Sequence, residues 1–242
     1  MTQTQQLKLS IEEDVLNKYP EMRISGIVVN DLTVFQNSST TIEGFIEPIF
    51  SQIQDKDWGP QQISAEQEIK AWRSAYGEMG VKPSKFKSSF ESLFRRVVKN
   101  QVPFGVNSIV DAYNAVSLKH RLCMGGYDLD YIEDHIILRY AQEGEKMLPI
   151  GTSEPLILND RSVVYSDPNK VLCSYWNHRD SEETKISTQT KNAIFFVDEI
   201  HKKKGRSLSA LFDLINLIKA LDQTITVSGP FYLEQQSSSV SL

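Results

Sequence analysis

Apolar residues recur at helical spacing through the first half of the chain and gather into short runs through the second. Between residues 38 and 54, Ile42, Phe45, Ile46, Ile49 and Ile53 follow a 3.6-residue period and predict a helix. Ile69, Trp72 and Tyr76 predict another, with Ser64 as its cap and Gly77 and Gly80 at its end. Pro83 opens a third, whose stripe is Phe86, Phe90, Leu93, Phe94, Val97 and Val98. Gly105 breaks the chain, and Asn107 caps a fourth on which Ile109, Tyr113 and Val116 are expected in the core. Asn107, Asp111 and Asn114 are spaced by four and three residues, so they share a face of that helix. Nearer the start, residues 7–9 predict a short strand. A helix is expected from Ile11, with Ser10 as cap and Glu13 three residues on. Residues 23–34 alternate and are rich in Ile and Val, which predicts a strand.

The second half predicts strands at 136–140, 156–158, 163–165, 171–176 and 193–200, with turns at Asn159-Asp160 and Asp167-Pro168-Asn169. Ser207 is expected to cap a last helix carrying Leu208, Leu211, Phe212, Ile215 and Ile218, before a strand at 225–227. Both chain ends, including QQSSSVSL, are polar and expected to fray. Helices crowd the first half and strands the second, which argues for an α+β fold rather than a regular βαβ succession. A chain of 242 residues buries a full core, as one large domain or two small ones.

Net charge changes the picture for partners. It is −5, so any nucleic-acid contact has to be local. Two basic clusters exist: Lys82, Lys85, Lys87, Arg95, Arg96 and Lys99, and then Lys202, Lys203, Lys204 and Arg206. Each reads either as a solvated face or as a contact surface. Cys123 and Cys173 are too few for a disulfide framework or a cysteine-built zinc site and read as buried small side chains. His120, His135 and His201 lack metal-ligand spacing, and no metal or cofactor is expected. No apolar run has the length of a membrane span and no secretory signal is visible, so a cytoplasmic protein with no membrane partner is expected.

The densest signal is residues 107–132, NSIVDAYNAVSLKHRLCMGGYDLDYI. Asn107, Val110-Asp111, Asn114 and Val116 are followed eight residues later by Met124-Gly125-Gly126-Tyr127-Asp128. This resembles N-x-x-V-D-x-x-N-x-V and then M-H-A-F-D in the editing (B3/B4) domain of the bacterial phenylalanyl-tRNA synthetase beta subunit. A second stretch, EETKISTQTKNA at 182–193, resembles that domain's G-E-H-S-G-V-x-x-x-T-x-N-V, which places Glu182 on the family's glutamate. Pro83-Ser84, Arg95-Arg96-Val97 and Lys99, with Trp176-Asn177, Arg179, Ser181 and Thr184, are similar to free-standing B3/B4 proteins. The likeness runs over 83–200.

It implies a B3/B4-like fold with mixed and antiparallel sheets flanked by helices, forming one domain over 1–242 with residues 1–80 packed on it. It also implies a protein that binds the aminoacyl end of tRNA and hydrolyses mischarged aminoacyl-tRNA. A complete ligase is not implied: the synthetase's other domains have no counterpart and no ATP-binding signature is present. Two departures stand out. Gly125 occupies the family's histidine position, and Tyr175-Trp176 replaces a Gly-Gly pair of the amino-acid pocket.

On this resemblance Glu182, or Glu183 under a one-residue shift, would position water or grip the α-amino group, and reads otherwise as an exposed acid; His178, at an unmatched position, is the candidate replacement base or a solvated loop histidine. Arg179 would hold a phosphate or a carboxylate, or reads instead as a structural ion pair with Asp111 or Asp128. Asn107, Asp111, Asn114, Gly125, Tyr175, Asn177 and Thr184 would line the substrate site, and Trp176 would stack on the terminal adenine or pack in the core. Arg95, Arg96 and Lys99 would bind RNA. Asn107, Asp111 and Asn114 read equally as caps that satisfy buried backbone. Two other readings stay open: a non-catalytic module binding RNA or an amino-acid-like ligand, and a homodimeric interaction protein. DNA is not an expected partner.

Overall fold

The computed structural model of the chain describes residues 7–37, 39–101 and 104–242. The fold is α+β, with two main sheets and most helices in the first half. The elements in order are β1 (Lys8–Ile11), α1 (Glu13–Lys18), β2 (Arg23–Asn30), α2 (Thr40–Gln54), α3 (Pro60–Ala65), α4 (Gln67–Glu78), α5 (Ser89–Val98) and α6 (Ser108–His120). There follow β3 (Cys123–Asp128), β4 (His135–Tyr140), β5 (Lys146–Met147), β6 (Leu156–Ile157), β7 (Val163–Ser166), β8 (Val171–Ser174), β9 (Arg179–Asp180), β10 (Ala193–Glu199), α7 (Arg206–Leu221), β11 (Thr226–Leu233) and β12 (Ser239–Ser241).

Four strands form one sheet in the order β11-β2-β10-β3, all antiparallel. Six form the other, β12-β1-β4-β7-β8-β9, in which β1 and β4 run parallel. Strand β10 is buried along its whole length, as a strand covered on both faces must be. Successive side chains alternate between those faces. Phe195 packs on Tyr113 of α6, while Phe196 stacks on Tyr165 of β7 at 5.1 Å. That second contact joins the two sheets, and the candidate site lies beside it. A single cluster of buried side chains reaches from Leu9 to Leu233, and β1 and β2 supply strands to both sheets from within the first 80 residues.

Several expected boundaries move. Ser10 lies inside β1, and α1 begins at Glu13 after Glu12, because pairing with β4 and β12 carries the strand through Ile11. Ser64 sits within α3 with its hydroxyl on the Pro60 carbonyl; Glu66 caps α4 instead, accepting from the N–H groups of Glu68 and Ile69. Pro83 starts no helix. Residues 82–87 form turns, and α5 begins only after Ser88, whose Oγ accepts from the Glu91 N–H. Gly205, at φ 73°, precedes α7, while Ser207 lies inside it and bonds Ser25. The polar tail does not fray throughout: residues 239–241 pair with β1, whose edge would otherwise lack backbone partners. Strand β3, which the pattern did not predict, pairs with β10 over its whole length.

Asn107 caps α6 as expected, and Ser39 caps α2. Ser38, from which the α2 pattern was counted, and residues 1–6 lie outside the described residues. Among the described residues no helix is long and apolar enough to cross a membrane.

Candidate ligand cavity between the sheets

A cavity of about 40 Å³ lies where β3 and β10 face β7, β8 and the turn after β8. That is space for roughly one or two water-sized groups. Gly125, Trp176, Asn177 and His178 line it, together with Asp180 and Asp198.

His178 is held through one ring nitrogen. Its Nδ1 lies 2.8 Å from the Lys87 carbonyl and 3.3 Å from the Lys87 N–H. The shorter contact makes Nδ1–H the donor, which leaves Nε2 with its lone pair. Phe86, Tyr175 and Tyr76 surround the ring. Burial lowers the imidazole pKa, with the Lys87 carbonyl opposing it, so the ring is neutral at neutral pH.

Of the two acids lining the cavity, Asp198 is the better connected. Its Oδ1 accepts from Tyr165 at 2.6 Å and its Oδ2 from Asn177 at 3.2 Å, while Asn177 Oδ1 accepts from Tyr76 at 2.9 Å. Burial raises the Asp198 pKa to about 7, against the pull of these donors. Burial likewise raises Asp180 to about 6; its carboxyl is enclosed beside Cys173, although part of the residue reaches solvent. Two carboxyls with pKa values near the working pH, beside a neutral histidine, can exchange protons there. The indole Nε1 of Trp176 and the hydroxyl of Ser89 are buried and make no hydrogen bond, although the indole lies near enough to Asp198 to oppose the rise in its pKa. Both atoms belong to residues lining the cavity and add hydrogen-bonding capacity.

Tyr175 and Trp176 have φ values of 48° and 70°. Only glycine adopts this left-handed region without strain; other residues lose about 1–2 kcal/mol there. The backbone at the Gly-Gly position of the resemblance is therefore glycine-like while the side chains are aromatic. Trp176 is wholly buried, edge-on to Tyr19 at 5.3 Å and to Trp72 at 5.2 Å, so its ring lies in the core.

Other residues marked by the sequence lie elsewhere. Arg179 is exposed, and Glu182 is half-exposed and ion-paired with Lys185, which keeps its carboxyl pKa low. Neither lines the cavity. Asn107 caps α6 and donates to the Ile186 carbonyl, and Asp111 accepts from the N–H groups of Gly105 and Val106. Asn114 is half-buried on α6 and Thr184 is buried, both apart from the cavity. Arg95 is tied to the buried Glu91 at 2.6 Å, a carboxylate it shares with Arg73. Arg96 and Lys99 are exposed. In the second basic cluster, Lys202 pairs with Glu234, and Lys203 and Arg206 pair with Glu68. Among the described residues no group of three or more His, Cys, Asp or Glu is placed to hold a metal.

Sequence reasoning passed over Asp180, Asp198, Tyr165 and Tyr76. A signal existed for Asp198: Asp198-Glu199 interrupts the apolar run AIFFVDEI, and a carboxylate inside a buried strand needs an explanation.

The glycines of β3 make a paired test. A Cβ on Gly125 would meet nothing within 4 Å, whereas one on Gly126 would lie 2.7 Å from Phe195 and 3.0 Å from Ile186. Gly125→Ala is expected to be neutral or stabilising by up to ~1 kcal/mol. Gly126→Ala is expected to cost about 1–3 kcal/mol through overpacking. Urea unfolding of both variants distinguishes them; equal effects would mean that the two faces of β3 are not as described.

Residues 71–210, more than half of the chain, match the B3/4 domain family. The phenylalanine–tRNA ligase beta subunit of Vibrio parahaemolyticus is 30% identical over 129 residues, covering 51% of this chain and 16% of that protein. The Fusobacterium nucleatum beta subunit is 26% identical over 112 residues, covering 45% of this chain and 14% of that protein. A solved N-terminal fragment of the phenylalanyl-tRNA synthetase beta subunit from Pyrococcus horikoshii aligns with a TM-score of 0.47 at 14% identity, covering 94% of this chain and 53% of that one. The chain thus matches about one-sixth of the length of its curated relatives. It belongs to the B3/4 domain family and is related, over about half its length, to the phenylalanyl-tRNA synthetase beta subunit.

Proposed function

We propose that this B3/4 domain binds the aminoacyl end of a tRNA and hydrolyses the ester of a mischarged one. The observation that carries the reading is convergence. Gly125 and Asn177, marked by the likeness, line one cavity with His178 and two carboxyls that titrate near neutrality.

In the proposed reaction water adds to the ester carbonyl and gives its proton to His178 Nε2. The ribose hydroxyl then leaves and takes that proton, so the products are a free amino acid and the free tRNA end. The cavity is too small for a large side chain, so the ester would sit at its mouth with only a small group inside. Gly125 leaves room there that a histidine would fill. For Glu182 to grip the α-amino group, its pairing with Lys185 must open.

The test is deacylation across a panel of mischarged tRNAs. At least one should be turned over. His178→Ala should lower kcat/KM about 10²-fold or more, with a smaller loss for Glu182→Ala. Flat kinetics across the panel would remove the catalytic half of the proposal.

A second reading, binding without turnover, is favoured by the size of the cavity and by Gly125 in the histidine position. Calorimetry with free amino acids and with uncharged tRNA separates the two. Saturable binding of either without hydrolysis supports the second.

A further inference from the structure

Three lysines stand on the turn packed against His178 of the candidate site. Residues 82–87 lead from α4 toward α5, with the N–H groups of Lys85 and Phe86 both on the Lys82 carbonyl. This segment is fastened to the turn after β8 in three ways. The Lys87 carbonyl accepts from His178, and the Phe86 ring packs 4.9 Å from Tyr175 and 5.1 Å from His178. The Ser89 N–H, just beyond, bonds the Asn177 carbonyl at 2.9 Å.

Charge on this turn is one-sided. From Met79 to Phe90 the sequence holds Lys82, Lys85 and Lys87 and no Asp or Glu. Lys82 and Lys85 are exposed and, among the described residues, form no ion pair, while Lys87 Nζ bonds only the neutral Ser84 carbonyl. Arg95, Lys202, Lys203 and Arg206, by contrast, are neutralised by carboxylates. In a chain of net charge −5, this is uncompensated positive charge on the segment that holds His178.

We infer that the 82–87 turn is a phosphate track, on which Lys82, Lys85 and Lys87 hold the backbone of a single-stranded RNA 3′ end so that its terminal ribose reaches the His178 cavity. The inference rests on the reading above and adds the surface that receives the partner. Basic side chains following a strand, with an aromatic ring among them, are the usual means of holding single strands without regard to sequence. Phe86, half-buried between Lys85 and Lys87, supplies that ring.

Fluorescence anisotropy with uncharged tRNA, between about 50 and about 200 mM salt, tests it. The probe variant is Lys82→Gln with Lys85→Gln, which leaves Lys87 and its hold on His178 intact. Each single-strand phosphate contact contributes about 0.7 to the slope of log K against log salt. The double variant should therefore flatten the slope by about 1.4, a roughly sevenfold smaller loss of affinity over that range. Lys56→Gln, in the separate groove between α2 and α6, should leave the slope unchanged. An RNA hairpin with a 3′ single-stranded tail should bind wild type more tightly than the blunt hairpin, and the double variant should lose that preference. A steep wild-type slope retained by the double variant would place the RNA elsewhere and overturn the track alone. No binding of tRNA by wild type would overturn both the track and the reading beneath it.

Discussion

Replacing Trp176 by alanine is expected to destabilise the protein by about 3–5 kcal/mol, and replacing it by glycine should cost no more. The indole is wholly buried between Tyr19 and Trp72, so its loss removes two edge-on aromatic contacts and leaves a void beside the cavity. At an ordinary position glycine would be worse than alanine by up to about 1 kcal/mol, because it has more backbone freedom to lose. Trp176 has φ 70°, where a Cβ is itself unfavourable by about 1–2 kcal/mol. The two effects oppose each other, so the usual order of alanine over glycine should vanish or reverse. Equilibrium urea unfolding of the two variants measures this. A glycine variant about 1 kcal/mol weaker than the alanine one would show that the left-handed backbone is not retained. The same pair bears on binding: if aromatics close an amino-acid pocket here, Trp176→Gly should admit free amino acids that wild type does not bind.

The periodic helices and the core strands were legible because their signals are local. Asn107 caps α6 with its own side chain, and Ile109, Tyr113 and Val116 are buried as their spacing requires. Strand β3 was not legible, because Gly125-Gly126 breaks the alternation that would reveal it, and the strand exists through its pairing with β10. The polar tail gave no sign of β12 for the same reason: its partner, β1, is more than two hundred residues away.

The site was half legible. After β8 the likeness marks Asn177, Arg179 and Ser181 and passes over Asp180, yet only part of that run faces inward. Arg179 and Asp180 form a two-residue strand whose side chains point to opposite sides, so Arg179 meets solvent while Asp180 reaches the cavity. Glu182 lies beyond this, on a 3-10 turn with Lys185 as a ready local partner. Asp198 escaped notice because its partners, Tyr165 and Asn177, come from 33 and 21 residues away. Its environment is assembled by the two sheets meeting and by nothing in its own neighbourhood.

Asp198 should give the chain a distinctive dependence of stability on pH. Its pKa is about 7 in the folded protein against a model-peptide value of 3.8. Between those values the folded state holds a proton that the unfolded state has released, so stability falls as pH rises. The favourable contribution is complete below about pH 4 and is gone above pH 7. A displacement of about three pKa units corresponds to roughly 4 kcal/mol. Asp180, raised to about 6, and Glu199, raised by burial, act in the same direction. Asp167, Asp213, Glu145 and Glu234 have lowered values and act oppositely at lower pH, where their stabilisation is lost as they protonate. The difference between wild type and Asp198→Asn isolates the one group. Asparagine keeps an acceptor for the Tyr165 hydroxyl but turns an N–H₂ group toward the Asn177 amide, a fixed cost independent of pH. Over a pH range of about 4 to 8, wild type should therefore lose roughly 4 kcal/mol relative to Asp198→Asn, read from urea midpoints at constant m. Parallel stability curves for the two proteins would mean that Asp198 ionises normally in the fold, and the proton-exchanging role of the cavity would fall with it.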